Sequence, residues 1–253
     1  MQRAFAIAAV FVLSTSVTAG QAAEVKILTA GAMKAVVLEL VPIFEKETGH
    51  KAVVDNDTAG GLSKRILGGE AFDLVVVTPG VIDDLTGKGK VAAGRTVVAR
   101  VGVGVAVKEG APLPDISSVE ALRRALLAAR SVAYIDPASG GSSGPFVVGL
   151  FEKLGITSEM KPKTKRKNGG YVADLVASGE AELGLHQISE IMPVKGVRLA
   201  GPLPAEIQNY TTYAAGVAAD AKQADAARVM IRLLSGPEAA DVLKRRGMEK
   251  PPA

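Results

Sequence analysis

Short apolar runs of strand length alternate along the chain with stretches whose apolar residues recur every three or four positions. Runs of the first kind predict strands at 25–30, 52–55, 74–77, 97–107, 132–135, 181–186 and 209–218. The second pattern predicts helices at 33–48, 62–67, 119–129, 146–154, 172–178, 224–234 and 237–246, the first of them ended by Gly49. Strands alternating with helices in this way imply α/β layers around a largely parallel sheet. No solenoid-period repeat and no Pro- or Gly/Ser-rich tether divides the chain. Two lobes, if present, are therefore joined by strands, and 97–107 and 203–213 lie where such joins belong.

The amino end carries a different pattern. Arg3 precedes an uncharged apolar run at 4–13 (AFAIAAVFVL) and a small, polar stretch at 14–23 (STSVTAGQAA). That is the layout of a secretory signal, with cleavage after Ala22 or Ala23. The run is too short to span a bilayer, which needs about 20 residues. The chain has no cysteine, hence no disulfide framework and no lipid-anchored thiol. The expectation is a diffusible periplasmic protein.

Composition narrows the partners. Thirty Lys and Arg against 26 Asp and Glu leave a net charge of +4, a mild attraction for anions rather than a nucleic-acid footprint. With no Trp and 4% aromatic residues, neither base-stacking nor sugar-stacking walls are expected. The densest basic run, 161–167 (KPKTKRK), reads as a solvated connection. Arg166 and Lys167 stand beside Asn168-Gly169-Gly170 and so add positive potential if a cleft opens there.

In open α/β sheets, ligands sit beyond the carboxyl ends of strands, where helix N-termini present free N–H groups. Four junctions are rich in small and hydroxyl residues: Thr29-Ala30-Gly31-Ala32, Thr58-Ala59-Gly60-Gly61, 139–145 (SGGSSGP, containing Ser142 and Ser143) and Asn168-Gly169-Gly170. Pro145 suits a first helical position. Lys34 and Arg65 lie near two of these junctions, and an Arg there holds a carboxylate in bidentate fashion. Of the two histidines, His50 reads as a surface residue, while His186 ends an apolar strand. Without Cys or clustered His there is no thiol nucleophile and no recognisable zinc site. Asp55 and Asp57 fit turn chemistry better than a carboxylate pair. Gly60-Gly61 lacks the Lys-Ser/Thr context of a phosphate-binding loop.

The order of these motifs resembles the periplasmic molybdate-binding protein group, within the type II solute-binding proteins of ABC transporters. The likeness runs through LTAGAMKAVVLELVPIFEKETG, GGLSKRILGGEAFDLVVVTPGVIDDL, YIDPASGGSSGPFVVGLFEKLGI, VASGEAELGLHQISEI and LLSGPEAADVLKRRGM. It implies two mixed-sheet α/β lobes joined by two crossing strands. Lobe 1 would comprise 24–102 and 211–253, and lobe 2 would comprise 103–210. It further implies a ligand in the cleft, a membrane permease as partner, a monomer and no cofactor.

Matched residue by residue, the family's first-loop serine falls on Ala32, and its serine-rich second loop on Thr58-Ala59-Gly60-Gly61. A small residue of the third loop falls on Ser143, an aliphatic one on Gly169, and the site tyrosine on Gln187, beside His186. These departures point from molybdate or tungstate toward another anion, such as a small carboxylic acid. Gly31, Ala32, Thr58, Ala59, Gly60, Arg65, Ser142, Ser143, Gly169, His186 and Gln187 are the expected ligand-binding residues. Some relatives of the group isomerise a tricarboxylate (aconitate isomerase). On that alternative His186 would be the base and Arg65 or Arg166 the clamp. Binding for uptake is the favoured reading, because no acid/base pair is visible in the sequence.

Overall fold

The computed structural model describes residues 22–251, so the export segment read above lies outside the described residues except for Ala22 and Ala23. The first elements are β1 (Glu24–Ala30), α1 (Gly31–Thr48), β2 (Lys51–Asp57), α2 (Ala59–Leu67), β3 (Leu74–Val77), α3 (Pro79–Gly87) and β4 (Thr96–Lys108). There follow α4 (Val119–Ala128), β5 (Val132–Ile135), α5 (Ser143–Lys153), α6 (Thr157–Met160), β6 (Thr164–Lys167), α7 (Ala173–Ala177), β7 (Leu183–Gln187), α8 (Ile188–Ile191) and β8 (Val197–Pro202). The chain ends with β9 (Tyr210–Val217), α9 (Ala224–Ser235), α10 (Glu238–Arg245) and β10 (Met248–Glu249).

Two lobes are built on two separate cores. One core gathers apolar residues from Val25 to Val101 and again from Tyr213 to Met248. The second, with its satellite cluster, draws on Val103 to Ile207. Within each lobe the short strands run parallel, β2–β1–β3 in one and β7–β5–β6 in the other. The long strands add antiparallel pairs, so the sheet is mixed rather than largely parallel.

β4 is the physical link. Its first half pairs with β9 over Thr96–Gly102, and its second half pairs with β7 and β8 over Val103–Lys108. The exchange of partners falls at Gly102–Val103. There the Gln208 side chain closes a two-bond clasp on Val103: it accepts from the backbone N–H at 2.9 Å and donates to the carbonyl at 2.9 Å. The Val103 side chain is fully buried.

Several elements were absent from the sequence pattern. α3 opens with Pro79 at a first helical position and buries Ile82 and Leu85. β8 is half-exposed throughout and exists because β4 offers it an edge. The basic run forms a turn and then β6, the outermost strand beside β5. Lysines on that edge discourage pairing with another chain. Pro145 is the third residue of α5, where its missing N–H still costs no intrahelical bond. Among the described residues no helix is long and apolar enough to cross a membrane.

Candidate functional site

Between the lobes lies a tight cleft of about 40 Å³ onto which four loop-to-helix junctions open. α1 contributes Gly31 and Ala32, α2 contributes Thr58 and Ala59, α5 contributes Ser142 and Ser143, and the β7–α8 junction contributes His186, Gln187 and Glu190. α1 and α5 have no side-chain cap, so their first N–H groups remain available to an anion. α2 differs. The Thr58 hydroxyl accepts from Gly61 N at 2.9 Å and donates to the Ser139 carbonyl at 2.6 Å, while Gly60 N donates to the Gly140 carbonyl at 3.1 Å. Those two bonds across the cleft mouth tie the lobes together in a closed arrangement. They also commit the one hydroxyl of the second loop.

The contact leaves no spare room. A Cβ added to Gly60 would stand 2.9 Å from the Gly140 Cα. Glycine is required here by the approach of two backbones, not by a turn.

Deeper in, a relay of neutral groups holds the floor. Tyr213 donates to Gln187 Oε1 at 2.7 Å, and Gln187 Nε2 donates to Ser142 Oγ at 2.7 Å. Thus oriented, Ser142 has its own proton to give to a ligand. Burial pushes the Tyr213 phenol up, which keeps it neutral and a donor.

The acid/base pair that the sequence did not reveal is His186 with Glu190. Their side chains meet at 3.5 Å, Nε2 to Oε2, and the two residues are only 3% and 9% exposed. Burial holds His186 down at about 3 and pushes Glu190 up to about 8. At neutral pH both groups are uncharged, and His186 Nδ1 is buried without a protein partner. The Glu190 carboxyl also fills the space beside Gly31, where an added Cβ would lie 2.4 Å from Oε1. Glu190 belongs to α8 and Gly31 to α1, so this contact too crosses from one lobe to the other.

Of the sequence-predicted residues, Gly31, Ala32, Thr58, Ala59, Ser142, Ser143, His186 and Gln187 line the cleft. Gly60 sits at its mouth against Gly140. Gly169 is not among the lining residues; its neighbours Gly170 and Tyr171 are. Arg65 is not in the cleft. Its guanidinium is engaged by Glu70, with Nε to Oε2 at 2.6 Å, and by Asp55. With Arg65 and Lys26 beside it, Glu70 is held at about 2. Arg166 donates to the Tyr134 hydroxyl at 3.2 Å, and Lys167 pairs with Asp174 at 3.4 Å. Among the described residues no Lys or Arg lines the inner cleft. Sequence reasoning missed Glu190, Tyr171, Tyr213, Asn56 and Asp57. Only Glu190 had a usable signal, four residues after His186.

A model of the bacterial extracellular solute-binding proteins matches residues 25–249. The chain belongs to that family. Within it, the likeness to the periplasmic molybdate-binding group stands. The chain is 28% identical over 239 residues to the molybdate-binding protein ModA of Azotobacter vinelandii, covering 90% of this chain and 91% of that protein. It is 30% identical over 255 residues to an aconitate isomerase of a Pseudomonas species, covering 98% and 96%. Among solved structures, the periplasmic molybdate-binding protein of Azotobacter vinelandii superposes with a TM-score of 0.71 at 20% identity, covering 90% of this chain and all of that one. The shared fold is thus the two-lobed α/β architecture described above.

Proposed function

We propose that this chain is an exported, periplasmic solute-binding protein that closes its two lobes on a small di- or tricarboxylate and presents it to a membrane permease of an ABC transporter. The observation that carries the reading is the meeting of two uncapped helix N-termini, α1 and α5, in one closed cleft where Asp57, the acid on its rim, lies 3.9 Å from Arg65. Backbone N–H groups and the helix dipole attract an anion there without any cationic side chain. A tetrahedral oxyanion wants donors on all sides, yet Ala32 has no hydroxyl and Thr58 has spent its own. Ala30, Ala59 and Ile135 instead offer apolar wall to a carbon skeleton. Glu190, protonated at neutral pH, donates to a carboxylate rather than repelling it.

The His186–Glu190 pair favours a second reading on the same ligand class. Isomerising an unsaturated tricarboxylate takes a proton from a carbon beside the double bond and returns one at another carbon. That work needs a base and an acid in contact: the unprotonated imidazole of His186 takes the proton, and the Glu190 carboxyl, raised to about 8 by burial and so protonated, returns one. Neutral His186 receives or steadies the proton at Nε2. The likeness over nearly the whole chain to an aconitate isomerase supports this reading.

Thermal shift tests the ligand class, since a ligand that binds only the folded protein raises its melting temperature. Stabilisation by trans-aconitate and other di- or tricarboxylates is expected. Stabilisation by molybdate or tungstate with none by carboxylates would overturn the proposal. Proton NMR of trans-aconitate in D₂O then separates carrier from enzyme: deuterium incorporation or isomer formation marks the enzyme, while unchanged substrate on a stabilised protein marks the carrier.

A further inference from the structure

Outside the inner cleft, and sharing Tyr171 with it, lies an outer chamber lined by Lys34, Ala35, Leu38, Glu39, Pro193 and Arg246. Gly31, Lys34, Ala35 and Leu38 fall at i, i+3, i+4 and i+7 on α1, so they form one continuous stripe. Gly31 faces the inner cleft and the other three face the outer chamber. Tyr171 lines both spaces and is the residue they share.

The chamber supplies what the inner cleft lacks. Lys34 makes no ion pair within 4.0 Å among the described residues. The one carboxylate on its wall, Glu39, is shared by Arg246, at 2.9 Å from Nη2, and by Arg245. The wall therefore carries two cations, Lys34 and Arg246, against one acid, and has a positive excess. Asp174, the other acid whose field reaches the Tyr171 phenol along with Glu190, is paired with Lys167.

We propose that this outer chamber is a second anion subsite, in which Lys34, backed by Arg246, receives the distal carboxylate of a polycarboxylate whose first carboxylate lies at the N-termini of α1 and α5. The inference rests on the carboxylate reading above and names the part of the ligand that an inner cleft lined by no cation leaves unbalanced. Geometry gives the span: one turn of α1 separates Gly31 from Lys34, a rise of about 4.5 Å, and the lysine stem adds reach. A single tetrahedral ion cannot bridge that interval, whereas a chain bearing two or three carboxylates can. Tyr171 then packs beside the connecting carbons.

Affinities for trans-aconitate and for the monocarboxylate crotonate would be measured by calorimetry at low ionic strength on the full processed chain, with wild type, Lys34→Gln and Lys34→Arg. One half-exposed charge contact is worth up to about fivefold in affinity. Lys34→Gln is expected to weaken trans-aconitate by about that factor, leave crotonate unchanged, and keep the ligand-free melting temperature. Lys34→Arg is expected to retain trans-aconitate binding. Equal weakening of both ligands, or no weakening of trans-aconitate in Lys34→Gln, would overturn the subsite while leaving the carboxylate reading intact. If the wild type binds neither carboxylate, that reading falls and the subsite falls with it.

Discussion

Glu190→Gln removes one proton site from the most enclosed part of the cleft while keeping the shape of the side chain. In the folded protein, burial pushes the Glu190 carboxyl from 4.5 up to about 8. The folded state therefore holds a proton that the unfolded chain has released, throughout the interval between those values. Because the native state binds more protons there, stability falls as pH rises. The loss is absent below about 4.5, grows through neutral pH and is complete above about 8. At about 1.4 kcal/mol per tenfold change in proton affinity, the whole interval amounts to about 5 kcal/mol. For a chain of this size, each kcal/mol moves the melting temperature by about 2–4 °C. His186 acts in the opposite direction: held down at about 3, it favours the folded state increasingly as pH rises toward 6.5. Only the difference between wild type and Glu190→Gln isolates the carboxyl. Melting temperatures from pH 5 to pH 9 should show the variant overtaking the wild type as pH rises, with the gap widest near pH 9. Because Glu190 bridges α8 and Gly31 across the lobes, part of the cost is relieved by opening, which small-angle scattering would register as a larger radius of gyration of the wild type above pH 8. Parallel pH profiles for the two proteins would refute a buried, proton-holding Glu190.

Gly60→Ala should separate lobe stability from lobe closure. Alanine in place of a helical glycine favours α2 by up to about 1 kcal/mol, yet its Cβ meets the Gly140 backbone at 2.9 Å. The expected outcome is an unchanged or raised melting temperature of the ligand-free protein with affinity for a stabilising ligand lowered at least about tenfold; unchanged affinity would mean that the lobes do not meet at this point. Gln208→Ala should cost about 1–3 kcal/mol in denaturant unfolding, because the Val103 N–H loses its acceptor in a buried strand. A cost below about 0.5 kcal/mol would show that water or a neighbouring group takes over the clasp.

The strands made only of apolar residues, β3 and β5, were legible to the residue, because a run buried on both faces has no polar position to blur its ends. α9 and α10 were legible for the related reason that one face of each is apolar and the other charged. The long strand at β4 was visible from its length, whereas the two-lobed frame came from the resemblance to the molybdate-binding group. β6 and β8 were not. Their residues carry no strand pattern of their own, and each forms because a neighbour presents an unpaired edge.

The site divides along the same line. Small and hydroxyl residues at strand-to-helix junctions marked the cleft, since the chemistry of a helix N-terminus is local to a few residues. Charge placement was not local. Arg65 looked like a ligand clamp until the fold set Asp55 and Glu70 against it, and nothing near Lys34 announced that its wall would lack a second acid. Glu190 is the sharpest case. Its spacing of four residues from His186 allows a contact, but only the approach of α1, with a glycine at Gly31, buries it and sets its proton affinity. Desolvation belongs to the whole surroundings of a group, so the sequence determined which residues were available for chemistry and the tertiary structure decided which of them stayed charged.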